Sequence, residues 1–279
     1  MGEIGIVRLP GGLDVPALGQ GTWRMGEEPE RRRDEAAALR EGIERGMTLV
    51  DTAEMYGEGA TESFLGEALA GLRDRVFLVS KAYPQNAGRA RLRRACEGSL
   101  RRLRTDRLDL YLLHWRGAVP LDETVEAMEA LRQDGLIRAW GVSNFDADDV
   151  EDLIDAGGDA CATDQVLYNP TRRGPDFDLL PLLDKLAMPA MAYSPVEQGR
   201  LAGHPALAGV AARHGATALQ VALAWVLRRP NVIAIPKAGT VAHVEENRAA
   251  ADLVLTAEDV AALDRAFPPP HRKVPLEML

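Results

Sequence analysis

Eight short apolar runs alternate with amphipathic helical patterns, which predicts an α/β fold of the (β/α)8 TIM-barrel type. Three observations carry this reading. The runs number eight once a β-hairpin at the N-terminus is set aside, and each is followed by a helical stretch. No Pro/Gly/Ser-rich linker divides the chain, so residues 1–279 read as one barrel domain. A doubly wound open sheet is the runner-up, but no G-x-G-x-x-G follows the first run, and "GTWRMG" is not that motif.

The hairpin is "IGIVRL", the turn "PGG" and "LDVPAL", placed across the bottom of the barrel. The strand candidates follow as "ALGQG" (from Ala17), "TLVDT" (Thr48), "VFLVSK" (Val76), "LDLYLLHW" (Leu108), "IRAWGVS" (Ile137), "ATDQVLY" (Ala162), "AMAYS" (Ala190) and "VIAIPK" (Val232). Between them "RDEAAALREGIERG", "DETVEAMEALRQDG" and "DADDVEDLIDAGG" space their apolar residues by three and four and close on glycine. The helix after the second barrel strand is expected to start at Thr61, with Phe64, Leu65 and Leu69 as its apolar face. The run "RARLRRACEGSLRRLR" reads as a helix that turns Leu92, Leu100 and Leu103 inward and its arginines to solvent.

Composition removes several classes. A net charge of -9 argues against a broad nucleic-acid or acidic-membrane surface. Two cysteines, Cys96 and Cys161, stand without short spacing, which argues against a disulfide framework or a Cys-ligated zinc. Nothing approaches a membrane span, and a reducing cytoplasm is the expected setting. No metal site is expected, because the five histidines are scattered.

A barrel of this type does its chemistry where the strands deliver their C-terminal ends. Those ends carry Asp51, Tyr56 on the following loop, Lys81, His114 with Trp115, Ser143 with Asn144, Gln165, Tyr193 and Lys237. Each alone has an ordinary reading: Asp51 as a turn cap, Lys81 as a surface lysine, His114 as a core histidine. Together they complement one another. Asp51 and Lys81 close adjacent strands and can pair, which keeps the lysine charged. Lys81 beside Tyr56 is expected to lower the tyrosine pKa from about 10 and to make it a proton donor near neutral pH. His114 can then hydrogen-bond a substrate oxygen.

At this point a family resemblance appears. Asp51, Tyr56, Lys81 and His114, within "LVDTAEMYG", "LVSK" and "YLLHW", resemble the catalytic tetrad of the aldo-keto reductases. "GTWRMG" is similar to that family's first-strand turn, "WGVSNF" to its fifth-strand motif and "IPKAGTVAHVEEN" to its coenzyme segment, so the likeness spans nearly the whole chain. The resemblance implies NADPH-dependent reduction of aldehydes and ketones, with Tyr56 as proton donor. It implies coenzyme contacts from Gly21, Thr22, Trp23 and Asp51, from Ser143, Asn144 and Gln165 on the nicotinamide carboxamide, and from Tyr193, with Ser194, stacked on the ring. Lys237, Thr240, His243, Glu246 and Asn247 are implied at the phosphate and adenine end, where the N–H groups opening a helix at Thr240 suit an anion. Trp23, Met55 and Trp115 are implied to wall the substrate pocket, with Met25 near its rim, while Trp140 and Trp225 read as packing.

Two positions depart from the family pattern. Ala238 stands where a Ser or Thr is usual, and His243 where an Arg is usual. Arginine offers a permanent bidentate charge, whereas histidine is largely neutral at pH 7, so NADPH preference is weakened and NADH use stays open. The tail "AFPPPHRKVPLEML" is short for the family's closing loop, which predicts an open pocket. The compact chain and "GTWRMGE" resemble bacterial members, methylglyoxal reductases among them. A monomer acting on a small carbonyl compound is expected. The competing class is a channel-associated or regulatory barrel that binds the coenzyme with little turnover; an intact tetrad fits both.

Overall fold

The computed structural model describes residues 2–279. The chain opens with β1 (Ile6–Leu9) and β2 (Leu13–Pro16), an antiparallel hairpin whose turn uses left-handed Gly11 and Gly12. Strand and helix then alternate: β3 (Gln20–Gly21), α1 (Arg32–Glu44), β4 (Leu49–Asp51), α2 (Ala60–Ala68), β5 (Phe77–Ala82) and α3 (Arg89–Leu103). The order continues with β6 (Leu108–Leu113), α4 (Leu121–Gln133), β7 (Ile137–Ser143), α5 (Ala147–Asp155), β8 (Asp164–Leu167) and α6 (Leu179–Lys185). After β9 (Ala190–Tyr193) come two helices, α7 (Pro205–His214) and α8 (Ala218–Leu227), then β10 (Val232–Ala234), α9 (Val241–Ala250) and α10 (Ala257–Ala266).

Strands β3 to β10 pair in parallel in chain order. The sheet then closes on itself. Gly19 N–H donates to the Ala234 carbonyl and Ala234 N–H to the Ala17 carbonyl, both at 2.8 Å, and Gly21 bridges Lys237. Two expected strands are shorter than predicted for this reason: residues 17–19 pair only across the seam, and the last strand is interrupted at Pro236, which has no N–H to give. Gly21 is required by the seam, since a Cβ there would sit 2.7 Å from the Ile235 carbonyl oxygen.

Thr61 is not the cap of α2. Left-handed Gly59 occupies that position, and the buried Thr61 hydroxyl instead donates to the Met25 carbonyl at 2.9 Å. Helix α3 turns Leu92, Leu100 and Leu103 inward as expected. The helices wrap the strands through a layer that includes Trp140 and Trp225, both buried. Cys96 and Cys161 are buried free thiols, and burial pushes both up to about 12.

Strand periodicity builds the site. Side chains two apart share a face, so inward Leu49, Val79, Leu112 and Met191 put Asp51, Lys81, His114 and Tyr193 one step nearer the C-terminal mouth. The lower layer is apolar and is joined by Val7, Leu9 and Val15 of the hairpin, which plugs the bottom. Each such side chain contributes about 1.5–3 kcal/mol by leaving water. The polar layer therefore rests on a dry floor.

Candidate active site

Lys81 is the centre of that layer and is fully buried. Its Nζ donates to Asp51 Oδ2 at 2.7 Å, the Thr52 carbonyl at 2.8 Å and the Tyr56 hydroxyl oxygen at 3.2 Å. All three ammonium donors are thus engaged. Asp51 Oδ1 accepts from Gln165 Nε2 at 2.8 Å across the barrel. Burial alone would lower the lysine pKa, but Asp51 and Tyr56 together outweigh it and the net shift is upward. Lys81 is a cation.

Tyr56 opens a short 3-10 turn (Tyr56–Gly59) in which Gly57 and Glu58 are left-handed. Burial raises its pKa, Lys81 pulls it down and Asp51 pushes it up; the net shift is upward. This corrects the expectation that Lys81 would bring the phenol below its ordinary value. Desolvation of the phenolate outweighs the ammonium, whose charge is already shared with Asp51. The hydroxyl keeps its proton at neutral pH, as a donor must.

His114 lies one residue past β6, held by its N–H to the Ala82 carbonyl at 3.0 Å. Burial, aided by the Lys81 charge, lowers its pKa to about 3, so the imidazole is neutral. Its Nδ1 is buried without a hydrogen-bond partner. The ring meets Tyr56 edge-on at 6.0 Å and Trp115 at 4.9 Å between centres.

A second group adjoins the tetrad. Asn144, at φ 59°, donates from Nδ2 to the His114 carbonyl at 3.0 Å and to Ser143 Oγ at 3.1 Å. Ser143 Oγ donates to the Gln165 carbonyl at 2.8 Å, and the Tyr193 hydroxyl donates to Asn144 Oδ1 at 3.0 Å. Ser194, also left-handed, has its carbonyl held by Asn169 Nδ2, which also reaches Glu197 Oε2 at 2.7 Å. Asn169 and Glu197 escaped the sequence reading because they join loops after different strands and follow no local period.

Other expected positions divide. The Thr22 hydroxyl is buried and donates to the Asp51 carbonyl at 2.8 Å, so that side chain ties β3 to β4. Trp23 is 41% exposed with Arg24 stacked on it, and Met55 and Trp115 are partly exposed at the mouth. Met25 is not at the rim; it is buried in the core beneath α2. Tyr83, not foreseen, meets Trp115 edge-on at 6.0 Å and is fastened by its N–H to Glu54 Oε1. The tail folds back against the barrel. Leu276 packs on the core, Glu277 pairs with Arg172 at 2.5 Å, and the Leu279 backbone lies near the Tyr193 hydroxyl.

The coenzyme-end residues lie apart from the tetrad, on the β10–α9 segment. Lys237 follows the seam, with Nζ 3.6 Å from Glu35 Oε1. Thr240 caps α9 by accepting the His243 N–H at 3.3 Å. Ala238 is buried, His243 is exposed, and Glu246 and Asn247 are half-buried on α9.

A protonated phenol, a buried ammonium and an uncharged imidazole converge on one point of a closed barrel, beside amide and aromatic groups. Fold and site together define a barrel oxidoreductase. The chain belongs to the aldo/keto reductase family, whose model matches residues 17–267. It is 51% identical to methylglyoxal reductase YeaE of Escherichia coli over 98% of this chain and 99% of that one, and 31% identical to glyoxal reductase of Bacillus subtilis over 92% and 91%. Its fold matches an aldo/keto reductase of Klebsiella pneumoniae solved with NADP and acetate, with TM-score 0.96, 53% identity and coverage of 98% and 99%. A second Klebsiella pneumoniae structure, with NADPH, has the same TM-score and identity and covers 99% of each chain.

Proposed function

We propose that this protein reduces aldehydes or ketones to alcohols with NADPH, and that Tyr56 gives the proton that completes the alcohol. The observation that carries this reading is the buried Lys81 ammonium, within 3.2 Å of Tyr56 and 2.7 Å of Asp51. Lys81 stabilises the phenolate as the proton leaves, and Asp51 holds Lys81 in place. Neutral His114 orients the carbonyl oxygen toward Tyr56 and cannot itself be the acid, because the second ring proton that it would give is already absent at neutral pH. The coenzyme, when bound, supplies the hydride.

The residues present suit that coenzyme. Tyr193 offers a ring beside the tetrad, Ser143, Asn144 and Gln165 offer amide and hydroxyl groups for a carboxamide, and Lys237 with the opening of α9 suits phosphate. Gly21, Thr22, Trp23, Asp51, Ser194, Thr240, His243, Glu246 and Asn247 complete the contact set. Trp23, Met55 and Trp115 form the wall for a small carbonyl substrate, methylglyoxal-like in size, a reading supported by the relatives' names. The site is complete within one chain, which supports a monomer of one domain. Among the described residues no single helix is long and apolar enough to cross a membrane; a cytoplasmic setting is part of this proposal. A coenzyme-binding barrel with little turnover shares the tetrad, and it is disfavoured instead by the relatives, which are named as reductases.

NADPH consumption with methylglyoxal or 4-nitrobenzaldehyde tests the proposal. Turnover is expected, and its loss on Tyr56→Phe with coenzyme binding retained supports the assignment. Near-normal turnover in that variant rejects Tyr56 as the donor.

A further inference from the structure

Lys237 is not the only cation at the coenzyme end. Glu35, on the first helix, has a side chain 1% exposed, and its Oε2 accepts the Gly26 N–H at 2.8 Å. Its Oε1 faces two cations, Lys237 Nζ at 3.6 Å and Arg31 Nε at 4.0 Å. Both separations exceed hydrogen-bond length, so neither cation is saturated by this carboxylate. Arg31 is half-exposed and also pairs with exposed Glu28 at 3.3 Å, a contact of the weak, screened kind.

The two cations meet over a residue with no side chain. A Cβ on Gly239 would lie 3.1 Å from Lys237 Nζ and 3.2 Å from Arg31 Nη2. Gly239 directly precedes Thr240, the cap of α9. Two cations against one carboxylate leave a positive surplus beside a helix N-terminus, which favours an anion of more than one charge.

We propose that Arg31 is the second cation for the adenosine 2′-phosphate of NADPH, supplied from the β3–α1 connection in place of an arginine at position 243. Glu35 is its positioning residue: it holds Arg31 and Lys237 on either side of Gly239 before the coenzyme arrives. Guanidinium geometry lets Arg31 grip two phosphate oxygens while Lys237 acts as a point charge. The inference rests on the NADPH reading above.

Calorimetry on the full chain tests it without turnover, using NADPH, NADH, 2′,5′-ADP and 5′-AMP as probes. Arg31→Gln should weaken NADPH and 2′,5′-ADP about fivefold to tenfold at low salt, and leave NADH and 5′-AMP within about twofold. Arg31→Lys should restore part of the loss, and the difference should shrink as salt is raised. Thermal melts matching wild type would show that the variants fold. Equal NADPH affinity in wild type and Arg31→Gln, with Lys237→Gln weakened, overturns the assignment of Arg31 alone. A wild type that binds NADPH no tighter than NADH overturns the coenzyme reading and this inference with it.

Discussion

The ends of β4, β5 and β6 and the β10–α9 rim are built on different electrostatic terms. At the first, Lys81 lies 2.7 Å from Asp51 and 3.2 Å from Tyr56, Gln165 reaches Asp51 at 2.8 Å, and the lysine and aspartate are buried. At the second, Lys237 and Arg31 stand 3.6 and 4.0 Å from their carboxylate, with side chains 31% and 50% exposed. In a low-dielectric floor each contact is strong and each loss leaves a partner uncompensated. At a wetted rim the same charges are screened and separable. The proton chemistry proposed for the first is thus preorganised, while the coenzyme choice proposed for the second falls where single substitutions act almost independently.

The sharpest way to break this contrast is at the acid. Tyr56→Phe should lower turnover by about 10²–10⁴-fold, the worth of general acid catalysis, with NADPH binding by tryptophan quenching nearly unchanged. A large binding loss instead would mean that the floor and the coenzyme site are not separable.

Lys81→Met comes next. It leaves buried Asp51 without its ammonium, so we expect lost turnover across the working pH range and a stability loss of about 3–5 kcal/mol in denaturant titration. Asp51→Asn should be milder in rate, since its role is to hold Lys81. The reverse order of severity would exchange their roles.

The pH profile sharpens the comparison further. His114 titrates near about 3 and so carries no charge between pH 5 and 8, and the reductive rate should show no acid limb from it there. The Tyr56 phenol is raised, so the alkaline fall, as the donor loses its proton, should lie at or above the ordinary phenol range. An imidazole limb near pH 6–7 that vanishes in His114→Gln would contradict the neutral assignment.

The smallest effect belongs to the rim. His243→Arg adds an exposed charge beside the proposed phosphate site and should tighten NADPH at pH 8 by about 0.5–1 kcal/mol, leaving NADH unchanged. No change in either dissociation constant would place position 243 outside the phosphate site.

The barrel and its tetrad were legible because strand period two and the strand-end rule act on local sequence: Leu49 to Asp51, Val79 to Lys81, Leu112 to His114. Element ends were less so. The helix expected to start at Thr61 begins at Ala60 behind left-handed Gly59, and Pro236 stopped a strand that the apolar pattern continued. The tuning of Tyr56 was misread in direction, since sequence shows the neighbouring charge but not the depth of burial. Glu35, Asn169, Glu197 and Arg172 were invisible for another reason. Each joins segments distant in the chain, and a single polar residue carries no periodic signal of such a partner.

The first and last described residues lie at opposite ends of the barrel. Gly2 N–H donates to Asp252 Oδ1 just past the C-terminal end of α9, near the plugged bottom, whereas Glu277 pairs with Arg172 and the Leu279 backbone lies near Tyr193 at the C-terminal mouth. Attachment of the molecule to a bead, a fluorophore or a fused protein is therefore not symmetric. A polypeptide appended after Leu279 must leave from beside the nicotinamide ring's proposed seat, and should slow coenzyme exchange or displace the Glu277–Arg172 tie. The same extension placed ahead of Gly2 projects from the far side. Immobilised through its N-terminus, the protein should present its working face to solvent.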